Sequence, residues 1–519
     1  MRIGFDLDNT LICYDQLFAF SAHKLSYLTN PPAQKQALKS ALMEKWGPQE
    51  GESAWQDIQA HSYGPWLEHA ELFPNVLACL EHLANQGHQL FIVSHKSSHS
   101  HFRPAIGFWE PARQFLNTHH VCKWVPDSQL FFEQTRQSKI QRITDLKLDL
   151  FVDDLADVLK DPFFPANTQG LCFAGDYPIS CSTWNELEIA LTHWTWLNDS
   201  LGGIKTLARI PSRGNGLLFK LNNQNQAFVL KVHYQPANDP RNRCGAEWRF
   251  LNFLAIRDVP APRPIACQEN ALLMTFISAT TQPVAPANLT AMLIRLAEVS
   301  KAKESSLEPA AHARFRLRDF AHDLLKRLET LEEPLNRQKH NHPWLQDFIT
   351  ITSKTAQTFL QALALNKESD QPLARPFWIA SPSDFGPHNA CLDQRGQLCL
   401  YDFEYAGWDD PVKLLADFYW HLAFDWSREE RMQVINSFLQ YRSVLDPTLK
   451  DRLHWVLPLV GLEWVLIALN VLNSDQMIRK HRLDPTESPH HRLKARQDGA
   501  QQLFQEWWNT SFKPFQELV

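Results

Sequence analysis

The order of apolar runs and helical periodicities predicts an α/β fold for the first part of the chain. RIGFDLD is a short apolar strand that ends in two carboxylates, and QLFIVS and LDLFVDD are two more buried strands. Between the first two strands, Val76, Leu80 and Leu83 recur at helical spacing. We expect Leu77 on the same face of that helix. Strands that alternate with helices predict a doubly wound parallel sheet, which we assign to residues 1–195.

A different pattern begins at Ile204 and predicts antiparallel strands. IKTLARIPSRGNGLLFKL contains two apolar stretches around a glycine-containing turn, and AFVLKVHY follows a polar turn. ALLMTFI, at Ala271–Ile277, indicates a further strand that leads into a long helical region. We therefore place a second, α+β domain at residues 204–519.

Composition narrows the range of partners. The 519 residues are 44% hydrophobic and 21% charged, and the net charge is −6. A basic field of the kind that attracts nucleic acid or an anionic membrane surface is therefore not expected. The nine cysteines form no C-x-x-C pair, so zinc and disulfide frameworks are not expected and a cytoplasmic location is predicted.

We predict neither a targeting segment nor membrane insertion. No apolar stretch of signal-peptide length follows Met1. The longest apolar run, Trp455–Leu469, is shorter than a membrane span and contains Pro458 and Glu463. We interpret it as a buried helix.

Acidic pairs follow two of the predicted parallel strands. Asp6 and Asp8 end the first strand, and Asp153 and Asp154 end the third. The carboxyl ends of parallel strands line the crevice in which α/β folds bind ligands. One carboxylate there can attack phosphorus while another protonates the leaving oxygen, and further carboxylates suit a magnesium ion. The pattern therefore predicts phosphate chemistry.

These motifs, taken in order, resemble those of the haloacid dehalogenase-like hydrolases. The resemblance implies that Asp6 is the nucleophile and that Asp8 is the acid/base, and an acidic second position is typical of the family's phosphatases. The implied phosphate ligands are Ser94 and Thr10, and the implied magnesium ligands are Asp6, Asp8, Asp153 and either Asp154 or Asp157.

The same resemblance implies a lysine that neutralises charge and a helical cap. Lys139 is the expected lysine, although Lys123 and Lys147 lie nearby. The helical segment 13–73 corresponds to the cap, which in this family covers the crevice and selects the substrate.

The stretch SPSDFGPHN, followed by DFEYAGWDDP, carries a second set of phosphate-handling groups. Asp384 and Asn389 stand five residues apart, and Asp402 follows thirteen residues later. One carboxylate can orient a hydroxyl group while an amide and another carboxylate hold magnesium. Upstream, Lys231 ends an apolar strand and Glu247 lies on the next helix, an arrangement that can direct the ammonium at nucleotide phosphates.

Residues 204–519 resemble the aminoglycoside phosphotransferase and choline kinase group of protein-kinase-like enzymes. The resemblance implies a bilobal fold, with an N-lobe at 204–277 and a helical C-lobe at 278–519. It implies Asp384 as the catalytic residue and the pair Asn389 and Asp402 as magnesium ligands. The implied ATP-binding residues are Gly214, Gly216, Lys231, Glu247, Met274 and Phe276.

One departure from that group stands directly before the catalytic position. Pro382 and Ser383 replace the usual His-Gly pair. Because that histidine is chiefly a scaffold residue, we expect changed loop packing rather than lost chemistry.

Together the two regions predict a bifunctional, magnesium-dependent phosphatase and ATP-dependent kinase. Adding and removing phosphate at one position would only consume ATP, so the two sites are expected to act on different positions or steps. The expected partners are a small hydroxyl acceptor and a phosphorylated metabolite of the sugar, polyol or amino-alcohol class. The alternatives are a kinase with a regulatory, non-catalytic first domain, and an antibiotic phosphotransferase. Either domain could also be a degenerate module that only binds.

Overall fold

The computed structural model describes residues 1–211, 216–236, 239–301, 306–340, 342–365, 370–473 and 488–512. The chain divides into two compact units. The first unit consists of Met1–Arg209 with Phe219–Gln226, and the second of Ile210–Leu218 with Ala227–Val519.

The first unit contains a six-stranded parallel sheet with the strand order β5-β4-β1-β6-β7-β8. The predicted parallel sheet with helices is thus confirmed. The strands of this unit are β1 (Arg2–Phe5), β2 (Ile12–Cys13), β3 (Glu71–Leu72), β4 (Gln89–His95), β5 (Leu130–Glu133), β6 (Leu150–Asp153), β7 (Gln169–Phe173) and β8 (Ser180–Cys181). Its helices are α1 (Asp15–Lys24), α2 (Lys35–Tyr63), α3 (Val76–Asn85), α4 (Trp109–Thr118), α5 (Arg136–Asp145), α6 (Ala156–Leu159), α7 (Trp184–Thr192) and α8 (Trp194–Leu201).

Helix α3 shows how the apolar periodicity selects one face. Val76, Leu80 and Leu83 are buried, as the spacing predicts. Leu77 is 37% exposed, so its expected place on the same face is wrong. Leu77 is the residue after Val76, so its side chain is turned by about 100° around the helix axis. It therefore lies at the margin of the buried face.

The segment expected to be a cap lies between two short paired strands. β2 and β3 pair antiparallel, with Ile12 opposite Leu72, and α1 and α2 occupy the chain between them. Aromatic side chains of this segment pack together: the ring of Phe18 lies 5.5 Å from that of Tyr14 and 5.1 Å from that of Trp55. The insertion therefore has an apolar cluster of its own. Its role as a cap remains a prediction.

The first unit extends beyond residue 195, where the sequence pattern ended it. Helix α8 follows α7 directly, and its apolar residues Trp194, Leu197 and Leu201 are buried. Leu207 N then donates a hydrogen bond to the carbonyl oxygen of Pro178 at 3.0 Å. These contacts hold the segment after α7 to the first unit.

A five-stranded sheet with the order β12-β13-β11-β10-β9 comes next along the chain. The antiparallel pairing expected here is found for β11 with β13 and for β12 with β13. Strand β12 begins at a proline and has only three apolar residues in a row, which explains why the sequence pattern did not reveal it. The elements are β9 (Thr206–Ile210), β10 (Gly216–Asn222), β11 (Ala227–His233), α9 (Arg243–Ile256), β12 (Pro264–Gln268) and β13 (Ala271–Thr275).

The chain after β13 is mostly helical, and its buried apolar side chains form one continuous core with those of α9. Short strand pairs β14–β17 and β15–β16 interrupt the helices. The elements are α10 (Pro286–Val299), α11 (Leu317–Thr330), α12 (Glu332–Gln338), α13 (Trp344–Leu365), β14 (Ile379–Ser381), β15 (Ala390–Leu392), β16 (Leu398–Leu400), β17 (Gly407–Asp409), α14 (Pro411–Trp420), α15 (Arg428–Arg442), α16 (Leu449–Leu469) and α17 (Pro489–Trp507).

Helix α16 is the long apolar helix that the sequence indicated. Gly461 lies where a Cβ atom would be 2.6 Å from Trp507 and 2.7 Å from Trp420, so two indole rings pack directly on its backbone. By length and composition, Leu449–Leu472 is also the single candidate membrane span among the described residues. Most of its apolar window, 61%, is buried inside the protein.

Candidate active sites

The carboxyl ends of three adjacent strands assemble the first candidate site. β1 pairs in parallel with β4 on one side and with β6 on the other. Asp6 directly follows β1, Asp153 ends β6, and Ser94 is the last residue but one of β4. All three side chains are buried. The structure thus brings them to the edge of the sheet at which α/β folds bind ligands.

Lys139 on α5 joins two of these carboxylates. Its Nζ lies 2.6 Å from Asp6 Oδ1 and 2.6 Å from Asp153 Oδ2. The lysine side chain is 2% exposed, so little water screens the attraction. Lys123, the alternative raised by the sequence, is instead mostly exposed and faces Glu81. Of the candidate lysines that the sequence raised, Lys139 is therefore the one whose ammonium contacts Asp6 and Asp153.

Asp154 completes a group of three carboxylates. Asp6, Asp153 and Asp154 each offer an oxygen atom within 4.8 Å of the others, whereas Asp157 is exposed and outside this group. Burial raises the pKa of Asp6 to about 7 and that of Asp154 to about 8; nearby carboxylates add to the rise and Lys139 opposes it. Crowded oxygen donors of this kind suit a hard divalent cation such as Mg²⁺.

The carboxylate of Asp8 has a different set of partners. Lys96 Nζ lies 2.9 Å from both of its oxygens, and the Tyr14 hydroxyl donates to Oδ1 at 2.6 Å. The Asp8 side chain does not belong to the three-carboxylate group. Sequence reasoning missed Lys96 and Tyr14. The available signal for Lys96 was its position, two residues after Ser94 and directly beyond the end of the same strand.

Thr10 ties together the loops that follow β1 and β6. Its Oγ1 accepts the N–H of Asp154 at 3.2 Å, and its carbonyl oxygen accepts Trp184 Nε1 at 2.8 Å. The first bond joins the loop after β1 to the loop that carries Asp154, and the second joins it to helix α7. Phosphate binding by Thr10 and by Ser94 stays a prediction.

The second candidate site centres on Lys231, near the end of β11. Its Nζ lies 2.6 Å from Glu247 Oε2 on α9 and 2.5 Å from Asp402 Oδ1. The lysine side chain is 8% exposed. The ion pair expected between Lys231 and Glu247 is thus present, and the predicted magnesium ligand Asp402 lies at the same ammonium group.

Glu247 links this lysine to the chain after Asp402. Its Oε1 accepts the N–H of Phe403 at 3.2 Å, and His233 Nε2 lies 3.2 Å from Oε2. Burial alone would raise the pKa of Glu247, but Lys231 and His233 lower it to about 2. Sequence reasoning missed His233, although it stands two residues after Lys231 and hence on the same face of β11.

Asn389 and Asp402 flank the hairpin formed by β15 and β16. Asn389 directly precedes β15, and Asp402 comes two residues after β16. Tyr401 N donates to the carbonyl oxygen of Asn389 at 3.0 Å, which places both predicted ligands at one end of the hairpin. Asn389 Nδ2 donates to the carbonyl oxygen of Asp384 at 3.0 Å, and its amide oxygen is a donor atom that suits Mg²⁺.

Ser383 occupies the position at which the sequence departs from the expected glycine. Its φ is 69°, in the left-handed region that favours glycine. Ser383 N donates to Ser381 Oγ at 3.0 Å, which supports this backbone turn directly before Asp384. The loop thus adopts a glycine-like conformation with a serine in place.

Two histidines that sequence reasoning did not select contact Asp384. His388 Nε2 lies 2.9 Å and His421 Nε2 lies 2.7 Å from Asp384 Oδ1. Burial alone would raise the pKa of Asp384, but hydrogen bonds from both imidazoles lower it well below its usual range. His388 was visible in the motif, four residues after Asp384. His421 follows α14, 37 residues away, and no local signal marked it.

Three of the predicted ATP-binding residues, Gly216, Met274 and Phe276, lie on the antiparallel sheet or directly after one of its strands. Gly214 lies outside the described residues. Gly216 begins β10, and a Cβ atom there would be 2.8 Å from the Val232 carbonyl oxygen, so the two backbones approach closely. Met274 is buried in β13, and Phe276 follows that strand. ATP contacts by these residues remain predictions.

Comparison with other proteins found a curated sequence relative of the first unit. The chain is 26% identical over 172 residues to a protein of Oceanobacillus iheyensis named "Putative nucleotidase". The aligned residues are 33% of this chain and 84% of that protein.

Solved structures align with a larger part of the chain. A choline/ethanolamine kinase family protein from Mesorhizobium loti is 17% identical, covers 62% of this chain and 97% of its own, and has a TM-score of 0.37. The choline kinase of Streptococcus pneumoniae is 13% identical, covers 60% of this chain and 98% of its own, and has a TM-score of 0.38.

A family model matches the second part of the chain. Residues 206–455 match the model of the phosphotransferase enzyme family. This range includes the lysine, the glutamate and the Asp–Asn–Asp set of the second candidate site. Residues 206–455 therefore form a phosphotransferase-family domain within this chain.

Proposed function

We propose that this protein is a bifunctional enzyme that transfers phosphate from ATP to a small-molecule hydroxyl group and hydrolyses a phosphate ester at a separate site. The observation that carries the kinase half is the buried Lys231 ammonium, which contacts both Glu247 and Asp402. A lysine oriented by a glutamate beside a metal-binding aspartate is the arrangement that phosphoryl transfer needs. The family match over residues 206–455 supports this assignment.

In the kinase reaction, each residue of the second site has a separate task. Lys231 binds the nucleotide phosphates, and Glu247 holds its ammonium in place. Asp384 orients the acceptor hydroxyl and takes up its proton. Asn389 and Asp402 would hold magnesium, which draws charge from the transferring phosphate when bound.

In the phosphatase reaction, Asp6 attacks phosphorus, which breaks the ester P–O bond, releases the alcohol and forms an aspartyl-phosphate. Water then hydrolyses the aspartyl-phosphate, which releases inorganic phosphate and regenerates the Asp6 carboxylate. Lys139 holds the Asp6 carboxylate against Asp153 and keeps its charge compensated. Asp8, held by Lys96, lies at the position of the group that exchanges protons with the leaving oxygen and with water. The carboxylates of Asp6, Asp153 and Asp154 would hold magnesium, which screens the nucleophile from the phosphate dianion.

The two sites act on different positions or different molecules in this proposal. The acceptor is a sugar, polyol or amino-alcohol, and the phosphatase substrate is a phosphorylated metabolite of similar size. The named activity of the Oceanobacillus relative, a nucleotidase, supports phosphate-ester hydrolysis by the first unit. We propose that both reactions take place in the cytoplasm, that ATP is the phosphate donor of the kinase reaction, and that magnesium binds at both sites.

The test uses the full chain against a library of alcohols and phosphate esters, with ATP consumption and phosphate release measured separately. Asp384→Ala should abolish transfer to the best acceptor and spare ester hydrolysis, and Asp6→Asn should do the reverse. Exposed aspartates provide matched controls, Asp451→Ala for the first variant and Asp127→Asn for the second. Hydrolysis that survives Asp6→Asn would exclude Asp6 as the nucleophile, and an unmodified chain that hydrolyses no phosphate ester would leave the first unit as a regulatory module. Transfer that survives Asp384→Ala would exclude Asp384 as the catalytic residue, and an unmodified chain that transfers no phosphate to any acceptor would refute the kinase assignment.

A further inference from the structure

We propose that His388 and His421 are positioning residues that fix the Asp384 carboxylate, so that one oxygen is held by both imidazoles and the other faces the acceptor hydroxyl. This inference rests on the proposed kinase function. Both Nε2 atoms contact the same oxygen, Oδ1, at 2.9 and 2.7 Å. Among the residues that the structure describes, none donates a hydrogen bond to Asp384 Oδ2, and 36% of the aspartate side chain is exposed.

The hydrogen-bond pattern around His421 determines which ring nitrogen carries the proton. The backbone N–H of Ala423 donates to His421 Nδ1 at 3.0 Å. An atom that accepts a hydrogen bond carries no proton, so in the neutral ring the proton is on Nε2. His421 therefore donates from Nε2 to Asp384.

His388 reaches the same tautomer by a different constraint. Its Nδ1 is buried and has no hydrogen-bond partner within the described part of the chain. A proton there would be an unpaired buried donor, whereas a proton on Nε2 is paired with Asp384. A Cβ atom at Gly386 would lie 2.7 Å from this Nδ1, so the backbone at Gly386 packs closely against the Nδ1 edge of the ring.

These tautomers distinguish hydrogen bonding from metal binding. Asp384, His388 and His421 offer ligand atoms within 4.8 Å of one another, a spacing that also suits a metal ion. A ring nitrogen that carries a proton has no lone pair to offer a metal. Because both Nε2 atoms carry protons, the two histidines act as donors to the carboxylate.

The surrounding residues hold both rings in this orientation. The ring of Phe424 stacks 5.6 Å from His388 and 5.5 Å from His421. Trp464 packs 4.4 Å from His421. Arg431 Nη1 donates to the carbonyl oxygen of His421 at 2.7 Å, and its Nη2 donates to that of Phe424 at 2.7 Å. Two donors with fixed positions on one oxygen restrict rotation of the carboxylate and leave Oδ2 in a defined place.

The experiment separates donation from ring packing by substituting each histidine in two ways. Phenylalanine keeps the ring and loses the donor, whereas glutamine loses the ring and keeps an N–H group at the reach of Nε2. We expect His388→Phe and His421→Phe each to lower kcat for acceptor phosphorylation by about tenfold, with the KM for ATP unchanged. The glutamine variants should retain most of the turnover, and His454→Phe, at an exposed histidine, is the control. Phenylalanine variants that outperform the glutamine variants would show a packing role and overturn the proposal.

A second measurement is independent of catalysis. Histidine-selective ¹⁵N spectra of the full chain should show both rings as the Nε2–H tautomer, with the two signals assigned by their loss in the glutamine variants. Asp384→Ala should shift both signals. A proton on Nδ1 of either ring would overturn the proposal. An unmodified protein that transfers no phosphate would instead refute the kinase function, while the spectra still decide how Asp384 is held.

Discussion

Lys231 and Asp402 are separated by 171 residues in the chain, yet the ammonium of the lysine lies 2.5 Å from a carboxylate oxygen of the aspartate. Burial raises the pKa of Asp402, and the charge of Lys231 opposes that rise. Two functions are therefore predicted for this lysine, which are to bind phosphate and to stabilise the charged form of a proposed magnesium ligand. Two of the following predictions test this second site.

Asp402→Ala and Asp384→Ala should fail in different ways. Loss of Asp402 removes a metal ligand, so magnesium-dependent ATP binding should weaken, and turnover should fall by on the order of a hundredfold or more. Loss of Asp384 removes the group that orients the hydroxyl, so turnover should fall as far while ATP binding stays close to that of the unmodified protein. Calorimetry of ATP binding with and without magnesium measures the difference. Equal ATP affinities in both variants would contradict the assigned roles.

Asp6→Asn should abolish magnesium-dependent hydrolysis of phosphate esters. An amide is a poor nucleophile, and asparagine keeps the size of the side chain. The measurement is release of inorganic phosphate by the purified variant, with ATP turnover as the internal check on folding. Residual hydrolysis at the level of Asp127→Asn, the exposed control, would exclude Asp6 as the nucleophile.

Magnesium binding at the first site should weaken as the pH falls. The pKa values of Asp6 and Asp154 are raised to about 7 and about 8, so both carboxyls take up protons as the pH is lowered from 8 to 6. A protonated carboxyl is a poor metal ligand, and the affinity should drop by about tenfold or more over this interval. Calorimetry of the nucleotide-free full chain measures it, with Asp153→Ala as the variant that loses the site. A constant affinity from pH 8 to 6 would contradict the raised values.

Gly386→Ala should impair the kinase site through contact alone. The φ of Gly386 is 169°, an extended conformation that alanine also adopts, but its Cβ would lie 2.7 Å from His388 Nδ1 and 2.7 Å from Phe424. We expect about 1–3 kcal/mol of destabilisation and a lower kcat, because the His388 ring that contacts Asp384 must move. Gly499→Ala in α17 is the matched control, since no described atom outside its own stretch of helix lies within 4 Å of an added Cβ. Thermal unfolding and kinase turnover that are normal for Gly386→Ala would refute this packing.

The sequence by itself determined the elements and many of the chemical groups. Period-two and period-3.6 patterns reflect backbone geometry within a few residues, so they are sufficient to locate the buried strand before Asp6 and the helix that carries Lys139. The rule that parallel strands end at one edge then predicted that Asp6 and Asp153 would lie close together. Leu77 shows the limit of the pattern, because periodicity does not define how wide the buried stripe is.

Other contacts between distant side chains were decided by the tertiary structure alone. Lys96 contacts Asp8 across 88 residues of the chain, and His421 contacts Asp384 across 37. No local spacing indicates such contacts. The extent of the first unit beyond residue 195 is of the same kind, since it depends on where the apolar side chains of α8 are buried. Local patterns arise from the covalent geometry of neighbouring residues, whereas these contacts follow from how whole elements pack, and packing depends on the entire set of buried surfaces.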